Sequence, residues 1–311
     1  MLLRLVRLVA TFLPVLVFAT IVRADEPFQV VPAEISLKGN FAQTQLLVTA
    51  PGNPSTAQDL TSQAAYVSSN EGIVTVSPAG RLIPRGDGMA EITVTVATAV
   101  RKIPVTVTAV SAEPAVSFLD HVRPAVNKAG CSMAACHAAQ FGKGGFKLSV
   151  FGFDQAADHF AMTKDSQGRR LNVLSPEESL LLQKPTMQVP HQGGRRFDPK
   201  SRDYEMMVAW IRSGAPGPTT ERVINKLVVT PAQRVGEPGL KQQLRVEAVY
   251  ADGEIRDVTA WAKYDSMDEG IVSVTRDGFC SVSGRGQAPV MVRFEGQAEI
   301  AMFVIPYGPP A

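Results

Sequence analysis

The residues best suited to chemistry in this sequence are two cysteines and a histidine near its middle. Four residues separate Cys131 from Cys136, and His137 follows the second cysteine directly. Two thiols so placed can add across the vinyl groups of a porphyrin, and the next imidazole can then reach the iron from one face. The usual spacing has two residues between the cysteines, and the longer spacing is a rarer variant. The pattern therefore indicates covalent haem c, with Cys131 and Cys136 as attachment points and His137 as an iron ligand.

Three other roles remain open for the cysteine pair. Cys131 and Cys136 could form a short disulfide, because disulfides persist in exported proteins. They could join histidines in a zinc site, although no second cysteine pair supplies the usual four ligands. They could also be unreactive buried thiols. The third cysteine, Cys280, falls at an apolar position of a strand, where we expect it to pack as a small hydrophobic residue.

The first 24 residues have the pattern of a secretory signal. Arg4 and Arg7 precede an apolar run over residues 8–22, and Ala24 ends a small-residue cleavage site. The run is short for a membrane span of about 20 residues. We therefore predict a signal peptide over 1–24, whose removal leaves no stable membrane span, with an uncleaved anchor as the alternative. Export predicts a periplasmic, secreted or cell-surface location, where haem attachment and disulfide formation are both feasible.

Composition limits the function classes. The 31 basic residues nearly balance the 29 acidic ones, and no basic run stands out, so we expect no nucleic-acid partner. The sequence has no Gly-x-Ser-x-Gly elbow, no His-Glu-x-x-His helix and no complete P-loop. These absences favour an electron-transfer or binding role over catalysis.

An internal repeat is the firmest feature of the sequence. Residues 59–96 align without gaps to residues 257–294, and 15 of the 38 positions are identical. The shared positions include Asp-x-Thr, a tyrosine, Glu-Gly-Ile-Val and three turn glycines. Short runs rich in β-branched residues, broken by glycine and proline, surround both segments. The repeat predicts one β-sandwich fold used twice, over 25–110 and 220–308.

Between the repeats, residues 111–219 change to helical spacing. Ser117, Ser175 and Ser201 each precede apolar residues that recur every three or four positions. This spacing predicts a separate, mainly α domain. We expect His121 and His159, which lie in this segment, to face solvent.

Several motifs resemble known families. The two repeats resemble bacterial Ig-like domains of group 2. Phe-x-x-x-Val-Arg-Pro, the Cys/Cys-His motif, Glu-Ser-x-Leu and Trp-Ile-x-x-Gly-Ala-Pro resemble a cytochrome c-type domain. Their order is similar to the N-terminal part of large secreted bacterial multidomain proteins, of which this chain would be a shortened or split member. The resemblance implies a multidomain fold: two all-β Ig-like sandwiches flanking a mainly α cytochrome c-like domain over 111–219.

A sixth iron ligand is expected in the loop before the last helix. His191 is the first candidate because Gly193 and Gly194 beside it let the backbone approach a flat cofactor. Met187 is the alternative. The resulting hypothesis is an extracytoplasmic c-type haem protein that transfers electrons or senses redox state, with an unknown redox partner.

The alternative function is a cofactor-free cell-surface scaffold or adhesion module with a Cys131–Cys136 disulfide. Its Ig-like domains would contact a surface polymer or protein. A haem peroxidase is a third possibility, but it would require distal acid and base groups that the sequence does not identify.

Overall fold

The computed structural model describes residues 26–219 and 222–308, so the predicted signal peptide over 1–24 lies outside the described residues. Three separate hydrophobic cores organise the chain, one in each β-sandwich and one in the segment between them. Within the described ranges, no helix is long and apolar enough to cross a bilayer.

The first β-sandwich places alternate side chains of its strands in the core. In the longest strand Ile103, Val105 and Val107 are buried while the residues between them are exposed, the pattern of a strand with one buried face. The strands are β1 (Gln29–Val31), β2 (Ile35–Lys38), β3 (Thr44–Gln45), β4 (Leu47–Thr49), β5 (Ala65–Ser68), β6 (Val74–Val76), β7 (Arg81–Pro84), β8 (Gly88–Val96) and β9 (Ala99–Thr108). The sheets have the orders β1-β4, β2-β9-β8-β5 and β3-β7-β6, in which β2 and β9 are parallel.

The second β-sandwich repeats this topology with one additional strand. Its strands are β10 (Ile224–Thr230), β11 (Gln233–Val235), β12 (Lys241–Gln243), β13 (Arg245–Tyr250), β14 (Ile255–Asp257), β15 (Lys263–Ser266), β16 (Val272–Val274), β17 (Phe279–Val282), β18 (Gly286–Phe294) and β19 (Gln297–Ile305). The sheets have the orders β10-β13-β14, β11-β19-β18-β15 and β12-β17-β16, in which β11 and β19 are parallel and β14 is the additional strand. Cys280 is fully buried in this core, which confirms its expected role as a packing residue.

The repeat extends to individual hydrogen bonds. In the first sandwich the amide of Thr61 donates to Asp59 Oδ1 at 2.7 Å, and the Tyr66 hydroxyl donates to the Thr61 carbonyl at 2.8 Å. In the second, Thr259 donates to Asp257 Oδ1 at 2.9 Å, and its carbonyl accepts from the equivalent tyrosine at 2.9 Å. The Asp-x-Thr motif is therefore a turn that the tyrosine closes in both copies.

The segment between the sandwiches contradicts the predicted fold class. It contains four short α-helices joined by long irregular stretches, and of the residues that the structure describes 34% lie in strands against 16% in helices. The prediction of a mainly α cytochrome c-like domain is therefore wrong. The helices are α1 (Arg123–Lys128), α2 (Gln155–Thr163), α3 (Leu180–Gln183) and α4 (Arg202–Arg212), and a π-helical turn, Phe118–Val122, precedes α1.

Capping hydrogen bonds and backbone conformations explain why the apolar spacing predicted more helix than the structure contains. Ser117 and Ser201 cap as predicted, accepting hydrogen bonds from the amides of Asp120 and Tyr204 at 3.0 and 3.2 Å. Ser175 makes no side-chain cap, and only a 3-10 turn follows it. Between the helices, glycines adopt positive φ at 142, 144, 145, 152 and 168, which ends regular structure.

Candidate functional site

A cavity of about 470 Å³ lies in the segment between the sandwiches. This volume is within the range of small-molecule sites. Four of the five residues that the sequence selected border it, namely Cys131, Cys136, His137 and His191. Apolar side chains form much of the remaining wall, among them Val126, Leu148, Met162, Leu181, Phe197 and Met207.

The cysteine loop begins where α1 ends. Gly130 has a φ of +80° and turns the chain out of the helix, as a glycine after a helix commonly does. The amide of His137 then donates to the Cys131 carbonyl at 3.1 Å, and the amide of Cys136 donates to Met133 at 2.9 Å. These bonds fold the loop back on itself, so both thiols reach the cavity.

A tight hairpin holds the imidazole of His137. His137 Nδ1 lies 3.0 Å from the Phe146 carbonyl oxygen, and the two rings are in contact, with centroids 4.6 Å apart. The hairpin requires glycine at 142, because a Cβ there would lie 2.1 Å from the Phe146 oxygen. Burial lowers the pKa of His137, so the neutral imidazole is favoured.

His191 is held in a similar way. Its Nδ1 lies 2.8 Å from the Gly194 carbonyl oxygen, and the Gly194 amide donates to the His191 carbonyl at 2.9 Å. A Cβ on Gly193 would lie 2.7 Å from the imidazole, so the ring occupies space that only glycine leaves free.

The two imidazoles face each other across the cavity. The ring centroids of His137 and His191 are 6.2 Å apart and the ring planes differ by 15°. Since a carbonyl oxygen only accepts hydrogen bonds, each Nδ1 carries the proton in the neutral ring and each Nε2 is an acceptor. The site thus offers two acceptor nitrogens.

The two thiols have different environments. Both are free in the structure. Burial raises the pKa of Cys131 to about 11, so its thiolate is disfavoured. The side chains of Cys131 and Cys136 are both partly exposed, so the raised pKa of Cys131 is what distinguishes the two thiols.

Two residues differ from expectation. Met187 is absent from the cavity lining, and its side chain is 45% exposed on a turn with a φ of +65°. Arg170, which the sequence analysis did not select, is buried and supports the wall of the cavity. It donates to the carbonyls of Ala161 and Gly145, each at 2.9 Å, and its guanidinium lies 4.7 Å from the Phe146 ring centroid. Only the folded chain brings these carbonyls together, so no sequence motif marks the residue.

The prediction of haem c and iron is corrected by the structure. Across residues 26–219 and 222–308, no group of three or more His, Cys, Asp and Glu side chains is placed to hold a metal ion. The surrounding segment also lacks the mainly helical fold on which the prediction depended.

A second candidate site is the contact between the two β-sandwiches. Asp257 Oδ2 accepts from the Thr44 hydroxyl at 2.9 Å and from the Gln45 amide at 2.8 Å. In the equivalent position, Asp59 Oδ2 accepts from the Gln242 side chain at 3.0 Å and from the Gln243 amide. Each Asp-x-Thr turn therefore binds the strand of the other copy, and the docking is reciprocal.

Side chains from three parts of the chain meet at one point. His121, from the middle segment, contacts Phe41 of the first β-sandwich region and Trp261 of the second, with ring centroids 6.0 Å apart in each case. Beside it Arg256 donates to Asp120 Oδ1 at 2.8 Å. His121 was expected to face solvent, and that expectation is wrong because the sequence does not show which surfaces the domains cover.

His159 is also more enclosed than expected. Its Nε2 lies 2.9 Å from the Ala215 carbonyl oxygen, and its ring contacts Phe118 and Trp210 with centroids 5.2 and 6.1 Å away. His159 therefore packs at the C-terminal end of α4.

Comparison with known proteins leaves the family open. No protein-family model matches the sequence, and no curated protein matches it. Among solved structures, domains 5–6 of the S-layer protein SbsC are 13% identical, with 90% of this chain and 97% of that chain covered and a TM-score of 0.33. The S-layer protein rSbsC(31-844) is 11% identical over 86% of this chain, with a TM-score of 0.24, and the chain spans 24% of its length. The Yersinia pseudotuberculosis adhesin InvE is 10% identical, with 90% and 58% covered and a TM-score of 0.19. Likeness at this level carries no argument about function.

Proposed function

We propose that the chain is an extracytoplasmic scaffold or adhesion module, in which two docked β-sandwiches hold the middle segment in a fixed position. The observation that supports this most is the reciprocal docking of Asp59 and Asp257. Domains joined by flexible linkers would have no contact in which to bury these carboxylates. Burying a charge without partners costs free energy, and both carboxylates find their partners in the contact between the sandwiches. The outer faces of the sandwiches are the surfaces offered to a cell-surface polymer or protein.

Further contacts attach the middle segment to the second sandwich. Lys128 at the end of α1 donates to the carbonyls of Ala262 and Arg276 and lies 4.9 Å from the centroid of the Tyr264 ring. Arg123 forms an ion pair with Glu295 whose side chains are both nearly buried. Contacts this enclosed favour a single rigid body over independently moving domains.

A rigid scaffold predicts a specific response to loss of docking. The Asp59→Ala, Asp257→Ala double variant should have a larger radius of gyration in small-angle X-ray scattering than the full chain. The Lys102→Ala variant is the control, since it breaks an exposed ion pair with Glu91, 2.8 Å long, that lies within the first sandwich. If the scattering of the unaltered chain already shows domains that move independently, the scaffold proposal is wrong.

The location is tested separately. Bacteria producing the full chain, or a version without residues 1–24, are treated with a protein-labelling reagent that cannot cross membranes. The full chain should be labelled on intact or outer-membrane-permeabilised cells, and the shortened version should not. Equal protection of both versions from the reagent would contradict an extracytoplasmic function.

A disulfide between Cys131 and Cys136 is part of the proposed scaffold. In the exported compartment, the Cys136 thiolate attacks an oxidised thiol–disulfide oxidoreductase and forms a mixed disulfide. Cys131 then loses its proton and displaces the enzyme, which leaves as its dithiol. The product closes the short loop over 131–136 and should stabilise the fold by about 2 kcal/mol.

The thiol environments predict an order of reactivity. In the reduced protein Cys136 should react with a thiol reagent first, Cys131 more slowly, and Cys280 only on unfolding, because burial raises the pKa of both Cys131 and Cys280. Mass spectrometry of timed samples measures this order. After oxidation the Cys280→Ala variant should keep one disulfide and Cys136→Ala none. Failure of the reduced pair to oxidise in a thiol–disulfide buffer would remove the disulfide from the proposal.

A further inference from the structure

The cavity that Cys131 and Cys136 border is lined by charges of one sign. Its lining includes five basic side chains and not one aspartate or glutamate. In the whole sequence the two signs are almost balanced, with 31 basic and 29 acidic residues. The bias therefore belongs to the cavity and does not follow from composition. We call the five residues the basic lining, and they are Lys143, Arg169, Arg170, Lys184 and Arg196.

A second cavity shows that clefts in this protein need not be basic. It has a volume of about 650 Å³ and lies where the two sandwiches meet the middle segment. Acidic and basic side chains both line it, and the basic ones include Arg222, Arg245 and Arg256. Each of these three arginines forms an ion pair with a carboxylate of the same lining. The charges of the second cavity thus neutralise one another, whereas those of the basic lining have no acid beside them in the wall.

Only one member of the basic lining has a carboxylate partner. Arg170 pairs with Asp165 at 2.8 Å. Across residues 26–219 and 222–308, the other four members form no ion pair, and the Lys184 ammonium donates to the Pro190 carbonyl at 3.4 Å. Uncompensated charges of one sign in a cleft with apolar walls concentrate ions of the opposite sign and repel ions of their own. The cavity therefore favours an anion and disfavours a metal cation.

The backbone fixes Arg196 at the edge of the apolar wall. The amides of Arg196 and Phe197 both donate to the Pro185 carbonyl, at 2.7 and 3.1 Å. Phe197 is buried and Arg196 is half-buried. The positive charge of Arg196 opposes the effect of burial on the pKa of Cys131, which places the guanidinium on the side of that thiol. A half-buried guanidinium is screened less than an exposed one, and its planar fork fits a carboxylate through two parallel hydrogen bonds.

The rest of the wall is apolar and largely aliphatic. Val126, Leu148, Met162 and Met207 are buried, and Leu181 is partly buried among them. Methionine side chains are flexible, so they adapt to ligands of varied shape. Covering such a wall contributes about 0.8 kcal/mol for each methylene group removed from water. An inorganic anion would leave this contribution unused, and an amphipathic anion would gain it.

From these observations we propose that the cavity binds a small organic anion with an aliphatic body, of the class of medium-chain carboxylates. The carboxylate pairs with Arg196, while Lys143, Arg169 and Lys184 raise the positive potential around it. The aliphatic body packs on the buried wall. The scaffold role requires no ligand, so this binding goes beyond it and is tested without reference to the docking of the sandwiches.

Titration calorimetry of the full chain with decanoate tests the proposal. Decanoate should bind saturably to one site. Butyrate has the same carboxylate but a shorter chain, and it should bind more weakly by about tenfold or more. Decan-1-ol has the same chain without the charge and should also bind more weakly by about tenfold or more. Inorganic phosphate should not displace decanoate, and added sodium chloride should weaken decanoate binding.

Two neighbouring arginines provide a matched pair of variants. Arg196→Gln should weaken decanoate binding by about tenfold, because it removes the bidentate partner of the carboxylate. Arg195→Gln removes the same charge from the adjacent residue, which is exposed and outside the lining, and should leave the affinity unchanged. Leu181→Trp fills part of the apolar wall without removing a charge and should also weaken binding by about tenfold. Circular dichroism checks that each variant is folded, and if Leu181→Trp is not, the butyrate titration still tests the wall.

Three results would overturn the proposal. The first is the absence of saturable decanoate binding to the unaltered chain. The second is an equal loss of affinity in Arg195→Gln and Arg196→Gln, since attraction to surface charge would then explain the binding. The third is phosphate binding as tight as that of decanoate, which would make the cavity a site for inorganic anions.

Discussion

Replacing Asp257 by alanine is expected to destabilise the protein by about 3 kcal/mol, because the change breaks a buried ion pair with Arg245, although that guanidinium keeps Glu247 as a second partner at 2.6 Å. Arg245 Nε lies 3.1 Å from the Asp257 carboxylate, and both side chains are almost fully buried. The same carboxylate accepts from Thr44 and Gln45 of the first sandwich and from Thr259 of its own turn. One substitution therefore removes an ion pair, a turn and the docking contact together.

Substitutions that each remove a single contact separate the contributions of these interactions to the free energy of unfolding. Thr44→Val removes a single hydrogen bond across the interface and should cost about 1 kcal/mol. Asp277→Ala breaks the ion pair with Arg81, which also joins the two sandwiches but is more exposed to solvent, and should cost less than about 1 kcal/mol. The measurement is denaturant unfolding followed by circular dichroism, from which the free energies of unfolding are compared. If Asp257→Ala lowered the free energy of unfolding no more than Asp277→Ala does, the docking contact through Asp257 would not contribute to stability.

Asp59 provides an independent check of reciprocity. Burial raises the pKa of its carboxyl, while hydrogen bonds from Thr61 and Gln243 act in the opposite direction. Removing it leaves the Gln243 amide without its acceptor, whereas the Gln242 side chain keeps its bond to the Gln243 carbonyl at 2.8 Å. We therefore expect the Asp59→Ala and Asp257→Ala variants to lose the same interface, so the double variant should be less destabilised than the sum of the two single variants.

The repeat could be predicted from sequence, but its most important consequence could not. Asp-x-Thr is a local turn, and its Oδ1 contacts lie within two residues. Identical residues at equivalent positions of the two copies were therefore sufficient to find it. The Oδ2 contacts join residues more than 180 positions apart. No local pattern encodes that pairing, which depends on how two folded surfaces meet.

For the middle segment, the cap residues were predicted correctly but the extent of helix was not. Its cap residues Ser117 and Ser201 were identified correctly because capping is a local property. Its helix content was overestimated because apolar residues at helical spacing also occur in compact irregular chain. Leu180 and its neighbours were expected to follow a helix start at Ser175, yet the α-helix there is only one turn long and begins at Leu180.

The candidate site was predicted in part. Cys131, Cys136 and His137 were selected together by their spacing, and His191 by its flanking glycines, and all four border the same cavity. Met187 was selected by residue type alone, and its turn directs it away from that lining. The chemistry inferred from the motif was not supported, since spacing shows which side chains are neighbours and not what they bind.

The three-domain junction should make the protein sensitive to acid. The His121 imidazole accepts a hydrogen bond from the Ser117 amide at Nδ1, 3.1 Å away. Burial, and after it the nearby Arg256 guanidinium, lower its pKa to about 4, and Asp120 partly opposes the shift. A proton on Nδ1 would remove the acceptor and place a charge between Phe41 and Trp261.

The sign of the pH effect follows from the two protonation states. In the unfolded chain His121 titrates near its ordinary pKa of 6.5, and in the folded chain near 4. Between these values the unfolded state binds a proton that the folded state does not, so falling pH favours unfolding. His121 should therefore contribute its full stabilisation above pH 6.5 and lose about 3 kcal/mol of it by pH 4.

His121→Asn tests this prediction, because the asparagine oxygen can replace Nδ1 as an acceptor but cannot be protonated in this range. The variant should be somewhat less stable at neutral pH, since the contacts of the imidazole with Phe41 and Trp261 are lost. Its free energy of unfolding should then fall less steeply than that of the unaltered chain between pH 6.5 and 4. Carboxylates and His137 titrate in both proteins, so the difference between the two curves isolates His121. If the curves fall in parallel, protonation of His121 does not govern the junction, and the acid response must come from other groups.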